Sequence, residues 1–401
     1  MSLVNVDVAI VGAGITGQTL ALALARQDFK VAIIDANDIA QGITEALSPR
    51  VSAISKASER IFKNVGAWQN IQRMQAYTEM HVWEDQAFGR IAFSAQENKV
   101  ENLGHIVENN CIVQALLETA KAASNIQLFL GQKITTINRS EEQQFINLEN
   151  ADMVAAKLIV GADGGSSFVR KTAGFPVTFW DYDHTAIVAN INTEQAHQNI
   201  ARQAFTPTGP LAFLPLSSPH VCSIVWSQDT REAERLLGLT DEEFCKSLQV
   251  ALDNQLGKCE LLTKRFNYPL KMQYAQQWAD TGIVLVGDAA HTIHPLAGQG
   301  ANLGLLDAAA LAQELGALKE AGKPFHTKKA LRPYERWRKA EAAKVVATME
   351  GFKRLFNGTD PALKLARNVG LTAANAIAPI KKFFIQQAMG RAGKMPRLAK
   401  R

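Results

Sequence analysis

The feature that most constrains this 401-residue chain lies at its start, where a short apolar stretch runs into three closely spaced glycines. Val4, Val6, Val8 and Ile10 alternate with other residues and lead directly into Gly12-Ala13-Gly14-Ile15-Thr16-Gly17. A period of two marks a strand, and the glycine cluster marks a tight turn at its end. From Thr16 to about Gln27 Ala, Leu and Gln fall at helical spacing, and residues 30–35 form a second β-branched run that ends in Asp35. The opening is therefore a β–α–β unit. Each glycine has its own duty there. The first permits the sharp turn, the second lets the backbone approach a diphosphate, and the third lets the helix pack close to the strand. The helix start offers free N–H groups and partial positive charge to phosphate. Asp35 is placed to accept hydrogen bonds from an adenosine ribose. The pattern predicts a dinucleotide site without choosing between FAD and NAD.

Further along, helical patterns fall at about 55–65 and 112–122, and strand-like runs at 126–131, 133–138 and 157–160. Residues 178–269 differ in texture. Strand-like segments at 185–191, 211–216 and 221–226, with prolines between them, predict a separate antiparallel sheet. A buried strand at 283–286 enters a second glycine-bearing loop, a helix follows from about Asn302, and the chain from Ala330 onward reads as helices. No internal repeat is present.

Two more loops follow apolar strands. Gly161-Ala162-Asp163-Gly164-Gly165-Ser166-Ser167 would by itself be a plain Asp-Gly turn. The longer one runs from Gly287-Asp288 through Ala289-Ala290-His291-Thr292-Ile293-His294-Pro295-Leu296-Ala297-Gly298-Gln299-Gly300-Ala301-Asn302-Leu303-Gly304. His291 and His294 stand at a spacing that suits metal, but no third ligand accompanies them, so no metal is expected. The four cysteines are scattered and form no CxxC, which reads as buried thiols in a reducing compartment.

Together the three motifs resemble those of the single-component FAD-dependent aromatic hydroxylases with the p-hydroxybenzoate hydroxylase fold. The resemblance implies an α/β chain: a Rossmann-type FAD domain, an inserted antiparallel-sheet substrate domain and a helical C-terminal tail. The corresponding bounds are 1–76, 100–177 and 270–345 for the FAD domain, 77–99 and 178–269 for the substrate domain, and 346–401 for the tail. It also implies that Asp288, after Gly287, hydrogen-bonds a ribityl hydroxyl, and that Asp163 serves both FAD and a pyridine nucleotide. The backbone of Gly300, Ala301 and Asn302 would lie against the flavin pyrimidine, where helix-end N–H groups stabilise negative charge on reduced flavin. No catalytic side chain is assigned; His294 and Pro295 are the flavin-loop candidates.

The resemblance narrows further. His294-Pro295-Leu296-Ala297-Gly298-Gln299-Gly300 with Asn302, Gly304 and Asp307 is similar to the signature of the ubiquinone-biosynthesis hydroxylases. Arg50-Val51-Ser52-Ala53-Ile54 is similar to their second FAD-contacting element, with Arg50 reaching the cofactor. Leu103-Gly104-His105-Ile106-Val107-Glu108-Asn109, Phe179-Trp180-Asp181-Tyr182, Ala212-Phe213-Leu214-Pro215-Leu216 and Gly351-Phe352 resemble the 2-polyprenylphenol hydroxylases within that family, and Asn109 joins the cofactor contacts on this basis. Two departures are small: Ala301 stands where Val is expected, and Asp35 where many relatives have Glu. The implied reaction draws electrons from NAD(P)H and oxygen from O2, forms a flavin hydroperoxide, and hydroxylates a polyprenylated phenol; the first ring hydroxylation, at C5, is expected, with another ring position as the alternative. The site must exclude water, or peroxide is released. Phe213, Leu214 and Pro215 are apolar enough to line the substrate pocket; the alternative is that they are sheet core facing away from the flavin.

Three rivals differ in what they require. A hydroxylase for a small soluble phenol or benzoate needs an Arg or Tyr pair for a carboxylate, which the strand region does not display. A halogenase lacks its Trp-x-Trp. A non-catalytic FAD-bound scaffold would not need a complete flavin loop.

Charge and hydropathy bound the partners. The net charge of +5 is uneven, with eleven Lys/Arg against one acid from Gly351 to Arg401, while the other 350 residues carry 32 basic against 37 acidic side chains. The basic end suits an anionic lipid surface or an acidic partner, such as other proteins of ubiquinone biosynthesis, or is simply a solvated helix. No nucleic-acid partner is expected. The apolar run at 368–380 is too short to span a bilayer, and the uncharged stretch 203–228 is broken by four prolines. No basic residue precedes Arg26, so a secretory signal is not expected. The expected location is cytoplasmic, with peripheral contact at the inner face of the cytoplasmic membrane open to the basic end.

Overall fold

A computed structural model describes residues 2–40, 42–85, 89–293, 300–356, 389–390 and 393–400. The strand Leu3–Val11 lies in the middle of the first sheet, pairing in parallel with Val31–Asp35 on one side and Met153–Gly161 on the other. Ile126–Leu130 and Ile283–Leu285 extend the parallel set outward. The alternation read at the start holds only for the exposed half of the first strand; Val8, Ala9 and Ile10 are all fully buried. A parallel sheet is covered by helices on both faces, so its central strands become continuously apolar. The helix Ile15–Ala25 packs against both Asn109–Lys121 and Gly300–Glu320 and is buried from Gly17 to Leu24.

The second sheet has nine strands. Its order runs His291–Thr292, Phe266–Ala275, Val177–Thr193, Val221–Asp229, Gly209–Pro215, Ile200–Thr206, Glu79–Glu84 and Arg90–Ser94, with Cys259–Leu261 also on Val177–Thr193. Three features differ from the sequence expectation. One pairing, Ile200–Thr206 with Glu79–Glu84, is parallel, because Glu79–Glu84 enters from the earlier part of the chain. Phe266–Ala275 runs past the expected boundary and pairs with His291–Thr292, so this sheet reaches the second glycine loop itself. Two helices, Thr230–Gly238 and Asp241–Ala251, cover the sheet where only strands were expected. The second of these had a legible signal: Thr240 and Glu243 form a capping box.

Period two along Gly209–Pro215 separates two cores. Leu211 and Phe213 join Ile224, Trp226, Phe244 and Leu248 beneath the two helices. Ala212 and Leu214 lie on the opposite face, with Val82, Ala201 and Phe205 against Val51, Ala53 and Ile106 of a small three-stranded sheet. All four cysteines are buried free thiols. The helix Lys328–Phe356 begins the C-terminal region; most of the basic stretch and the whole apolar run 368–380 lie outside the described residues. Among the described residues no helix is long and apolar enough to cross a membrane.

Candidate cofactor and active site

The three glycine motifs, far apart in sequence, pack against one another. A Cβ on Gly12, whose φ is +109°, would lie 2.3 Å from the carbonyl oxygen of Ala162, so the first turn sits directly on the Asp163 loop. On Gly17 a Cβ would come within 2.0 Å of the Gly12 oxygen. Thr16 is the meeting point with the second loop. Its side chain would lie 3.2 Å from a Cβ on Gly287 and 2.5 Å from one on Gly304. The first glycine turn and the start of the helix Gly300–Glu320 therefore close on one another because the residues facing the Thr16 side chain, Gly287 and Gly304, have no side chains of their own.

Gly14 is the exception. It faces open space, with nothing within 4 Å of a Cβ, and it caps the helix Ile15–Ala25 without a side-chain bond. The first turn of that helix carries no acid. Free N–H groups beneath an empty approach are what a diphosphate requires. Asp35 receives the Ala13 N–H at 2.7 Å and the Asn37 N–H at 2.8 Å, which fixes its carboxylate beside the turn.

Asp288 keeps its surface open to solvent although protein closely surrounds it, as on the floor of a crevice. Desolvation pushes its carboxyl above the ordinary range, partly offset by the charges of His291 and Arg50. A hydroxyl-bearing chain lying there would donate hydrogen bonds to that carboxylate. Arg50 stands over the Tyr268 ring at 5.0 Å, which brings a strand of the second sheet to the crevice. Asn109 supports it: its N–H donates to the Arg50 oxygen at 3.0 Å, and its Oδ1 accepts from Ser52 Oγ at 2.7 Å.

Asn302 uses its side chain within the protein, accepting from Ser55 N–H (3.0 Å) and Ser58 Oγ (2.7 Å) and donating to the Ala53 oxygen (2.8 Å). What remains for a cofactor from Gly300, Ala301 and Asn302 is backbone at a helix start. Asp163 likewise turns inward, accepting from Ser167 Oγ and from Val169 N–H, while Ser167 caps the helix Phe168–Thr172. Arg170, which sequence reasoning did not single out, ties this loop to the next: it donates to Gly165 O at 2.6 Å and to Ala289 O at 2.8 Å. His291 faces Asp307 at 2.6 Å. His294 and Pro295 lie outside the described residues. The three pocket candidates part company: Leu214 faces the three-stranded sheet, whereas Phe213 turns to the helical cover and away from the loops. Pro215, the last residue of that strand, is buried.

The open face at Gly14 and the exposed carboxylate of Asp288 thus lie on two loops that Thr16 brings together. The fold is shared with p-nitrophenol 4-monooxygenase PnpA from Pseudomonas putida DLL-E4, at a TM-score of 0.81 and 18% identity over 98% of this chain and 100% of that one. Residues 5–349 match the FAD binding domain family. Fold and site thus define an FAD-dependent monooxygenase of the p-hydroxybenzoate hydroxylase type. The chain is 33% identical to 3-demethoxyubiquinol 3-hydroxylase of Escherichia coli (strain K12), over 96% of this chain and 98% of that one. It is 34% identical to ubiquinone hydroxylase UbiL of Rhodospirillum rubrum, over 96% and 89%. The chain belongs to the FAD-dependent hydroxylases of ubiquinone biosynthesis.

Proposed function

We propose that the protein carries out the first ring hydroxylation of a polyprenylated phenol, at C5, using NAD(P)H and O2. The observation that carries the reading is the closure of the Gly12–Gly17 turn on Gly287 and Gly304 through Thr16, which leaves one extended site between two loops. Gly14 and the helix start would hold the diphosphate, Asp35 the ribose and Asp288 the ribityl chain. The backbone of Gly300, Ala301 and Asn302 would face the pyrimidine, with Arg50 across the crevice. When bound, FAD accepts hydride from NAD(P)H and activates O2 for transfer of one oxygen atom to the ring.

The protein's own share is placement and dryness. Leu214, Ala201, Phe205 and Val82 give the second sheet an apolar inner face opposite Val51 and Ala53, beside Arg50. An apolar wall of this kind suits a prenylated ring and keeps water from the reacting oxygen. A phenol is itself electron-rich, so few acid–base groups are needed. The basic C-terminal stretch would hold the enzyme near the membrane or near partners that present the lipid.

A second ring position has a specific observation in its favour, because the Escherichia coli relative is named for a quinol lacking only its 3-methoxy group. The test is NAD(P)H oxidation and product analysis with a 2-polyprenylphenol, a 3-demethoxyubiquinol and 4-hydroxybenzoate side by side. Product from the first alone supports the C5 assignment. Product from the second alone moves the reaction to the 3-position, and turnover of 4-hydroxybenzoate alone overturns the prenylated substrate.

A further inference from the structure

One buried carboxylate joins three elements around the cofactor loop. Asp307, on the helix Gly300–Glu320, is fully buried. Its Oδ2 accepts from the Gly287 N–H at 3.1 Å and from His291 Nε2 at 2.6 Å. Its Oδ1 accepts from Arg338 Nε at 2.6 Å, on the helix Lys328–Phe356. Burial opposes the Asp307 charge, yet His291 and Arg338 hold the carboxyl below its usual range. Because the carboxylate is ionised, Nε2 is the protonated nitrogen of His291. Trp278 packs 5.0 Å from the His291 ring, and the Tyr334 hydroxyl donates to Leu285 O at 2.9 Å, at the end of the strand entering the loop. Among the described residues, the buried His291 Nδ1 and Arg338 Nη2 have no hydrogen-bond partner.

Such a triad is a poor way to gain stability. An apolar pair of similar volume would serve the fold at least as well, because desolvating charges offsets most of their attraction. What the charged arrangement adds is direction. It points one acceptor at the N–H of Gly287, a residue held at φ +59° immediately before Asp288.

We propose that Arg338 is a positioning residue for the cofactor: acting through Asp307, it fixes the Gly287–Asp288 loop so that the Asp288 carboxylate meets the ribityl chain. The inference rests on the reading of Asp288 given above and extends it to a residue of the helix Lys328–Phe356.

The test is FAD affinity of the apoprotein, measured by quenching of flavin fluorescence, for Arg338→Met, Arg338→Lys and Asp288→Ala and for Arg338→Met combined with Asp288→Ala. Arg338→Met weakens FAD binding roughly tenfold, and Arg338→Lys recovers much of the loss, since an ammonium can restore one bond to Asp307. On the Asp288→Ala background Arg338→Met adds little, because the group it positions is gone. A folded Arg338→Met protein with unchanged FAD affinity overturns the proposal, as does full additivity with Asp288→Ala. If Asp288→Ala itself binds FAD normally, the reading of that carboxylate fails first and takes the proposal with it. Should Arg338→Met not fold, the charge-neutral pair Asp307→Asn/Arg338→Met replaces it. That pair folds and binds FAD weakly if the triad positions the loop, and normal affinity in it overturns the proposal.

Discussion

Replacing Gly14 by alanine separates folding from cofactor binding. The residue lies at φ −75° and ψ −176°, a conformation any L-residue adopts, and a Cβ there meets no protein atom within 4 Å. In the apoprotein two small effects oppose each other. Alanine reduces the freedom of the unfolded chain, a gain of about 0.4–1 kcal/mol. It is also a poorer N-cap than glycine, a loss of roughly 0.5–1 kcal/mol. Apoprotein stability should therefore change little. In the complex the methyl group occupies the space between backbone and diphosphate, and such overpacking costs about 1–3 kcal/mol. The dissociation constant for FAD should rise roughly 5- to 150-fold. Gly12→Ala makes the contrast. There the added Cβ meets the Ala162 backbone at 2.3 Å with φ at +109°, so left-handed strain and overpacking together cost the fold roughly 2–5 kcal/mol. Urea unfolding of the apoproteins and flavin-fluorescence titration measure both quantities. Wild-type FAD affinity in Gly14→Ala would refute the placement of the diphosphate, whatever happens to stability.

Three further outcomes are expected. Asp288→Asn should weaken FAD binding yet raise the melting temperature of the apoprotein at neutral pH. Its folded carboxyl titrates above the unfolded one, so ionisation penalises the fold; the gain should vanish below the unfolded value of 3.8, and an equal gain at all pH values would contradict it. Phe213→Ala should destabilise the protein by about 3–5 kcal/mol with little change in KM, whereas Leu214→Gln should raise KM for a prenylated phenol while FAD affinity holds; the reverse assignment would contradict the two-core division of that strand. His105 is pushed down to about 4 from 6.5, chiefly by burial and against the pull of Glu59. The unfolded chain takes up a proton there that the folded protein refuses, so stability should fall as pH drops from 6.5 towards 4 and level off below. His105→Phe should flatten that slope in urea midpoints measured across the window, and an unchanged slope would remove His105 as its source.

The sequence was legible wherever one local rule governed the chain. Gly12, Gly14 and Gly17 between a strand and a helix need no tertiary information, and Asp35 closes the unit. Asp288, Asn302 and Asp163 were singled out through family resemblance, but where their side chains go was not legible: Asn302 spends its side chain on Ala53, Ser55 and Ser58, and Asp163 accepts from Ser167 and Val169 of its own loop and the helix after it. Arg170 stood at the end of the Asp163 segment without a legible role, and Arg338 carried no signal, because their partners are a carbonyl 119 residues away and a carboxylate 31 residues away, distances that no motif spans. Phe213 and Leu214 read alike as apolar neighbours; only strand register sends them to opposite faces. The helix Asp241–Ala251 was missed despite its Thr240–Glu243 capping box, because the strand-rich texture before it dominated the reading of that region.

The proposed reaction places one atom of O2 on a prenylated phenol. Turnover of the FAD-loaded enzyme with NAD(P)H and a 2-polyprenylphenol under 18O2 in ordinary water tests it most directly, read by mass spectrometry of the product. One 18O atom is expected in the product's new hydroxyl. A hydroxyl bearing unlabelled oxygen, or NAD(P)H consumption that yields only hydrogen peroxide, would contradict it.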